Sequence, residues 1–411
     1  MHIEFVLFIV VTVISSIISV AFYILNSVLS RRKGRVRNED KLDYSKDDVT
    51  CVITVYNEST DHLVNAIHSI MDQVKEIILV EDGDGTKYRN FADKMKINFL
   101  STGERKGKRE AMAIGTSHVS TDIVLFMDGD MIPESGAVSR MIAEYTEKIG
   151  GVGGNIFFET DSGNFSAYAS QFIERSKELV QRSMKHFGNV MLIDGGFGSY
   201  RMDVVGDYIK SEKFRNFKIK GKIPYYGGGD DAELTSYIIR SGLTVTKSFE
   251  SRVTTVPKES IKAYFRQSVR WSRTGFRNFI SNIRNGTMRK ANLFYRIEQT
   301  VTYALPVIFL AVILLRGTLF FEIMLKRGFE PAFMYVTGLN MFFHGTIHYI
   351  SGVDLAYKLS TTSSAIASLV FAGTAVRRTV KDRLKTFVYG SMGAIILFAA
   401  TVYAMFTVNK S

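Results

Sequence analysis

Hydrophobic and polar positions divide the chain into three stretches. Residues 3–29 and roughly 299–408 are apolar almost throughout, whereas 31–298 alternate short apolar and polar runs as a soluble domain does. In that middle stretch, Val49-Thr50-Cys51-Val52-Ile53-Thr54-Val55-Tyr56 is a near-continuous β-branched run, the pattern of a strand buried on both faces. Lys75 to Val80 reads as a second strand, 97–100 as a short third, 105–117 as a helix, and Asp122 to Met127 as a fourth strand. Strands that alternate with helices predict an α/β fold with a mainly parallel sheet and right-handed crossovers. Asp82 falls just past the second strand, and Asp128 and Asp130 just past the fourth. Open α/β sheets bind their ligands at that edge.

The first apolar run, Ile3 to Leu29, is longer than the roughly 20 residues needed to cross hydrocarbon. Arg31, Arg32, Lys33, Arg35 and Arg37 follow it directly. A cleavable signal peptide carries its charges before a shorter apolar region, so the run reads as an uncleaved anchor with a cytoplasmic basic end. Further spans are expected at 299–315, 331–350 and 386–407, with His344 and His348 as polar packing groups in the second of these. The stretch 360–376 is apolar but short and rich in Ser and Thr, and it leads into a basic cluster from Arg377 and Arg378 to Lys385. Reading it as interfacial or re-entrant keeps that cluster cytoplasmic. The expected organisation is a transmembrane helix at 1–30, a cytosolic domain at 31–257, amphipathic interfacial helices at 258–298, and a membrane region at 299–411 containing an interfacial segment at 353–385.

Charge sharpens this division. Residues 258–290 hold nine Lys or Arg against one Glu, and Lys262, Arg266, Arg270, Arg273 and Arg277 recur on one helical face beside an apolar stripe. Such a helix suits the membrane surface. The chain carries 52 Lys and Arg against 40 Asp and Glu, a net charge of +12, but the excess sits beside apolar segments, where anionic headgroups account for it. The expected partner is therefore a lipid bilayer and not nucleic acid. With 46% hydrophobic residues and a single cysteine, the chain is neither disordered nor a disulfide scaffold.

Candidate chemistry concentrates at the sheet edge. Asp128-Gly129-Asp130 sets two carboxylates on one side of an extended segment, hard ligands at a spacing that suits Mg²⁺ or Mn²⁺ on a diphosphate; the same tripeptide also makes an ordinary turn. Asp82 could accept hydrogen bonds from a base or ribose, or simply turn the chain. In Gly229-Asp230-Asp231-Ala232-Glu233, Asp230 and Glu233 have capping-box spacing. That leaves Asp231 as a candidate general base, with a structural role equally open. Gly107-Lys108-Arg109-Glu110 opens a helix, where cations can hold phosphate or merely start the helix. Gln267, Arg270 and Trp271, the last being the only tryptophan, fall in the amphipathic segment, where an indole can stack on a sugar or sit at the interface.

Together these pieces resemble the membrane-embedded processive family 2 glycosyltransferases, the hyaluronan, chitin-oligosaccharide and cellulose synthases. The marks are Lys106-Gly107-Lys108-Arg109-Glu110, Asp128-Gly129-Asp130, Gly150 to Gly154, Ser199-Tyr200-Arg201, Gly229-Asp230-Asp231, and Val256-Pro257 followed by Gln267-x-x-Arg270-Trp271. The resemblance implies a cytosolic GT-A domain inserted between transmembrane helices, using a divalent cation (Mg²⁺ or Mn²⁺) and a UDP-sugar such as UDP-GlcNAc, UDP-GlcA or UDP-Glc. It implies Asp82 on the uridine, Asp128 on the nucleotide, Asp130 on the metal, and Lys108 and Arg109 on the donor. Asp231 would be the base for inverting transfer to a growing glycan, with Gln267, Arg270 and Trp271 on the diphosphate and acceptor end. Residues 372–379, which include Arg377 and Arg378, are similar to the gating loop of hyaluronan synthases and imply contact with the nucleotide. The chain departs from that pattern by lacking the loop's tryptophan, by Asn155 where those enzymes have Asp, by Asp194-Gly195-Gly196 in place of Ser-Gly-Pro, and by Ala232 in place of Arg.

Overall fold

The computed structural model describes residues 3–32, 41–216, 229–337, 352–379 and 381–409. The β-branched runs form β1 (Val49–Val55), β2 (Glu76–Glu81), β3 (Asn98–Ser101) and β4 (Ile123–Asp128). With β5 (Met131–Pro133), β6 (Ile149–Phe158), β7 (Phe197–Arg201) and β8 (Thr244–Thr255) they build one eight-stranded sheet in the order β3-β2-β1-β4-β7-β6-β8-β5. β3, β2, β1 and β4 are parallel to one another, as are β6 and β8. β7 runs antiparallel to β4 and β6, and β5 antiparallel to β8.

The helices in chain order are α1 (Ile3–Leu29), α2 (Thr60–Ile70), α3 (Arg89–Met95), α4 (Lys108–Thr116), α5 (Ala137–Ile142), α6 (Phe165–Lys185), α7 (Met202–Lys210) and α8 (Glu212–Arg215). They continue with α9 (Asp230–Arg240), α10 (Ile261–Arg284), α11 (Thr287–Lys290), α12 (Leu293–Arg327), α13 (Phe329–Thr337), α14 (Gly352–Val376) and α15 (Arg383–Phe406). Every residue of β1 is buried, because helices cover both faces of the sheet. Cys51, Ile53 and Val55 pack with Leu63 and Ile67 of α2 on one side, while Val52 packs with Met112 of α4 and Ile238 of α9 on the other. Each such buried aliphatic contributes roughly 1.5–3 kcal/mol.

Among the described residues three helices are long and apolar enough to cross a membrane: Val10–Leu29 of α1, α12 and α15. The stretch expected in the interface, 360–376, belongs instead to α14 and lies lengthwise on α1. The Ser16 and Ser364 hydroxyls meet at 2.9 Å, the Tyr23 and Phe371 rings at 5.2 Å, and Arg31 donates to Thr374 at 3.1 Å. Residue numbers climb together along both helices, so α14 runs parallel to α1 over about 20 Å. Serine causes the difference: small hydroxyl-bearing residues let helices approach and bond, an effect that hydropathy counts as mere polarity. α12 runs the other way, Asn26 of α1 donating to Glu298 at 3.2 Å. Of the span expected at 331–350, α13 covers the start; residues 338–350, with His344 and His348, lie outside the described residues, as do 33–37 of the first basic cluster.

α10, expected flat on the membrane surface, packs along α15. Tyr264 donates to the Gly393 carbonyl at 3.3 Å, Ser272 meets Thr401 at 3.0 Å, and Arg277 donates to the Val408 carbonyl at 2.7 Å. Arg273 and Arg277 thus serve groups just past the end of α15, where helix carbonyls lack partners. α6 lies beneath the bundle, touching the ends of three of its helices: Ser183 donates to Asn26 of α1, Phe172 and Leu179 pack on Phe371 and Ala375 of α14, and Gly390 and Gly393 of α15 admit it closely. A side chain at Gly390 would meet Phe172 carbons at 2.3 Å, and one at Gly393 would meet the Ala169 methyl at 2.5 Å. Gly390→Leu is therefore expected to cost about 1–3 kcal/mol by overpacking. Thermal unfolding in detergent should show a lowered midpoint, whereas Met392→Leu at an exposed position of the same helix should leave it unchanged.

Candidate active site

The reversal at β7 builds the site. Met127 of β4 lies opposite Phe197 of β7, so the turn that enters β7, residues 194–196, reaches the edge where β4 ends. The Asp128 amide donates to the Gly196 carbonyl at 3.0 Å, and the Gly195 amide to Asp231 Oδ2 at 3.2 Å. A Cβ at Gly195 would lie 3.1 Å from that of Asp231, so a larger residue there would push Asp231 aside by a few tenths of an ångström. One two-glycine turn therefore separates the carboxylate closing β4 from the one opening α9.

Lys108, the first residue of α4, reaches into this gap. Its Nζ lies 2.6 Å from Asp128 Oδ1, 3.6 Å from Asp230 Oδ2 and 3.3 Å from the Gly195 carbonyl. Burial works against its charge, but Asp128 and Asp230 outweigh it and hold the ammonium well above its ordinary pKa. Burial, then the neighbouring charge of Asp128, pushes the Asp130 carboxyl up, against the pull of Lys258 and the Thr255 hydroxyl. Asp231 is pushed up to about 6 by burial and by Asp230, with the Ala232 amide and Lys108 resisting. That is the range in which a carboxylate serves as a general base near neutral pH.

Asp230 and Glu233 do not form the capping box their spacing suggests. Gly229 takes the N-cap position without a side-chain cap, Glu233 accepts instead from Tyr208 and Arg240, and Asp230 faces Lys108. Arg109, expected on the donor, donates to the Phe214 and Gly229 carbonyls at 3.0 and 3.1 Å and so anchors the start of α9. Asp82 accepts from the Lys106 and Gly107 amides at 2.7 and 2.9 Å, which draws the 102–107 loop onto the sheet edge. Gln267 is half-buried on α10, while Arg270 and Trp271 are exposed. One turn beyond Trp271, Gly275 is covered by Tyr303 of α12, whose phenol feels the charge of Asp231. Arg378 is engaged elsewhere, on Glu178 at 3.2 Å and on the Ser30 carbonyl at 3.0 Å, and Arg377 is exposed.

Sequence reasoning missed four participants. Lys258 follows the end of β8, where it was hidden in a general basic excess. Tyr56 is exposed just past β1 with the Arg105 guanidinium 4.1 Å from its ring centre, a flat cationic platform beside Asp82. Asp230 was assigned to a cap. Asp194 read only as a departure from a motif, yet it is buried between Lys177 and Lys247.

The donor set fits a hard divalent cation. Among the described residues no cluster of three or more His, Cys, Asp or Glu side chains is arranged to hold a metal, so a cation here would have Asp130 and Asp128 as its nearest carboxylates and would need further ligands from phosphate and water. Burial first, and then the charge of Asp128, disfavours the ionised form of Asp130, and a cation at this point would offset both.

Residues 50–209 match the family described as Glycosyl transferase family 2. The chain thus contains a family 2 glycosyl transferase domain, and its mixed, mainly parallel sheet is the GT-A fold. An N-acetylglucosaminyltransferase of Bradyrhizobium diazoefficiens is 23% identical over 244 residues, covering 56% of this chain and 49% of that protein. A hyaluronan synthase of Streptococcus pyogenes is 24% identical over 281 residues, covering 63% of this chain and 64% of that one. The matches thus span between about half and just under two thirds of these relatives. Among solved structures, a mannosyltransferase of Pyrobaculum calidifontis in complex with GDP-Man and Mn²⁺ superposes with a TM-score of 0.58 at 15% identity, over 89% of this chain and 99% of the other.

Asp82→Ala removes the acceptor shared by two loop amides, so amide exchange across 102–109 should accelerate while β2 stays protected. The expected loss is about 1–3 kcal/mol. Hydrogen-exchange mass spectrometry reads it, and unchanged protection of the loop would show that Asp82 does not hold it.

Proposed function

We propose that this protein is a processive inverting glycosyltransferase that polymerises a β-linked polysaccharide, hyaluronan- or chitin-like, from UDP-sugars and passes it through its own helix bundle. The observation that carries this reading is Asp231, a half-buried carboxylate with its pKa near 6, held across a glycine turn from the Asp128-Lys108 pair. Asp231 takes the proton of the acceptor hydroxyl as that oxygen attacks the anomeric carbon; the bond from that carbon to the UDP oxygen breaks with inversion. Arg270 offsets negative charge on the leaving diphosphate, and Trp271 and Gln267 face the acceptor end. Asp130, with Asp128 beside it, would hold a divalent cation, Mg²⁺ or Mn²⁺, whose contribution is to neutralise the diphosphate. The Tyr56–Arg105 platform, with Asp82 at its side, suits a stacked base.

What favours passage of the product is a half-open, mainly apolar recess of about 370 Å³ between α1, α12, α14 and α15, where Ser16, Ser364 and Arg316 stand among Phe309, Val312 and Phe398. In this arrangement the catalytic domain is cytoplasmic, α1 and α14 run inward towards it, and the N-terminus lies outside. A tag there should be accessible on intact cells; a shielded N-terminus would overturn that topology.

Supplying UDP-GlcNAc, UDP-GlcA and UDP-Glc singly and in pairs, then sizing and digesting the product, tests the activity. A long product is expected, and dependence on two donors would make it hyaluronan-like; a single sugar on a lipid would overturn processivity. Asp231→Asn should abolish transfer while retaining UDP binding, and Asp130→Asn should weaken metal-dependent nucleotide binding. Because the base must be deprotonated, kcat/KM should fall as pH drops through about 6, roughly tenfold per unit below it. A profile flat down to pH 5 would remove Asp231 from that role.

A further inference from the structure

Asp194 is a buried aspartate between two lysines. Its Oδ1 lies 2.9 Å from Lys177 Nζ of α6, and its Oδ2 lies 2.6 Å from Lys247 Nζ of β8. Lys247 is almost fully buried as well, and Lys177 also pairs with Glu174, one turn before it on α6, at 2.8 Å. Burial alone would raise the Asp194 carboxyl, but the two ammonium groups outweigh it and keep the group ionised. Asp194 opens the segment in which this chain departs from the family's Ser-Gly-Pro, and among the described residues no hydrogen bond joins it to Asp128 or Asp231. It is also the residue immediately before Gly195, whose amide bonds to Asp231 and whose carbonyl bonds to Lys108.

We propose that Asp194, clamped by Lys177 and Lys247, is a positioning residue that fixes the Gly195 amide against Asp231 and thereby sets the orientation of the base. A two-glycine segment has little stiffness of its own, since glycine restricts its backbone least of all residues. The clamp supplies the missing rigidity from two sides, one lysine on the central sheet and one on α6. The groups that face Asp231 are Asp230 on its own helix, Lys108 of α4, Asp194 of the turn, Tyr200 of β7 and Tyr303 of α12. Of these, Asp194 is the one joined by covalent chain to the amide that Asp231 accepts. The inference rests on the reading of Asp231 as the base.

The test uses the purified full-length enzyme, with UDP release as the readout and with UDP binding and thermal midpoint measured on the same samples. Asp194→Asn is expected to lower kcat by about tenfold or more while donor KM stays within about twofold, because misplacing a base costs turnover and not ground-state binding. Lys177→Gln removes the half-exposed arm of the clamp and should lower kcat about threefold to tenfold, again without a change in KM. It carries the test if Asp194→Asn does not fold. A purely structural role would depress midpoint, UDP binding and kcat together. A folded Asp194→Asn enzyme with parental kcat, or one whose kcat loss is matched by an equal rise in KM, overturns the proposal; so does parental kcat in Lys177→Gln. Asp231→Asn, assayed alongside, separates the two readings: retained turnover there removes the base itself, whereas an inactive Asp231→Asn with an unaffected Asp194→Asn removes only the clamp.

Discussion

Asp128, Asp130, Asp230 and Asp231 are gathered at one sheet edge, and their mutual repulsion is the constraint around which the site is arranged. Two unit charges 4 Å apart at an effective dielectric near 20 interact by about 4 kcal/mol, so four unneutralised carboxylates would not stay together. Lys108 stands between Asp128 and Asp230 and offsets part of this. The remainder adds to the larger effect of burial in raising the carboxyls of Asp130 and Asp231. Asp130 stands beside Asp128 and Asp231 beside Asp230, so the surplus negative charge is divided between the two sides of the glycine turn.

Topology places the two halves. The parallel strands β2 and β4 deliver Asp82 and Asp128 to a common edge, but the turn that meets Asp231 arrives there because β7 enters the sheet reversed. Arg109 then fixes the start of α9 through the Gly229 carbonyl, so that Asp230 and Asp231 meet the turn. Several basic residues that look suited to anionic ligands are occupied in this way with backbone carbonyls: Arg109 here, Arg277 past the end of α15, and Arg378 on Ser30. A guanidinium can anchor chain ends as readily as phosphate, because both offer acceptors that lack partners.

Local periodicity made the first four strands, α4 and the acidic edge legible, since buried parallel strands and their helices write continuous or amphipathic patterns. The convergence of Asp128 with Asp231 was legible only through motif resemblance, because more than a hundred residues and a reversed strand separate them. What stayed hidden depended on partners remote in sequence. Nothing near Glu233 announces that Tyr208 and Arg240 will draw it from the cap. Nothing near Asp194 announces Lys247, 53 positions away. The orientation of α14 escaped for a related reason: its serines look like interruptions of an apolar stretch until α1 is set beside them.

That last pairing has a consequence for the order of synthesis. Ser16 and its partners on α14 are separated by 344 to 348 positions, nearly the whole length of the chain. At about 5–20 residues per second, roughly 17 to 70 seconds pass between the appearance of the two surfaces. During that interval the serine face of α1 has neither α14 nor, for most of the time, α12 to meet it, and the catalytic domain completes itself on a helix still missing its neighbours. α1 is therefore also an unfinished interface, one that a truncated or stalled chain would leave open.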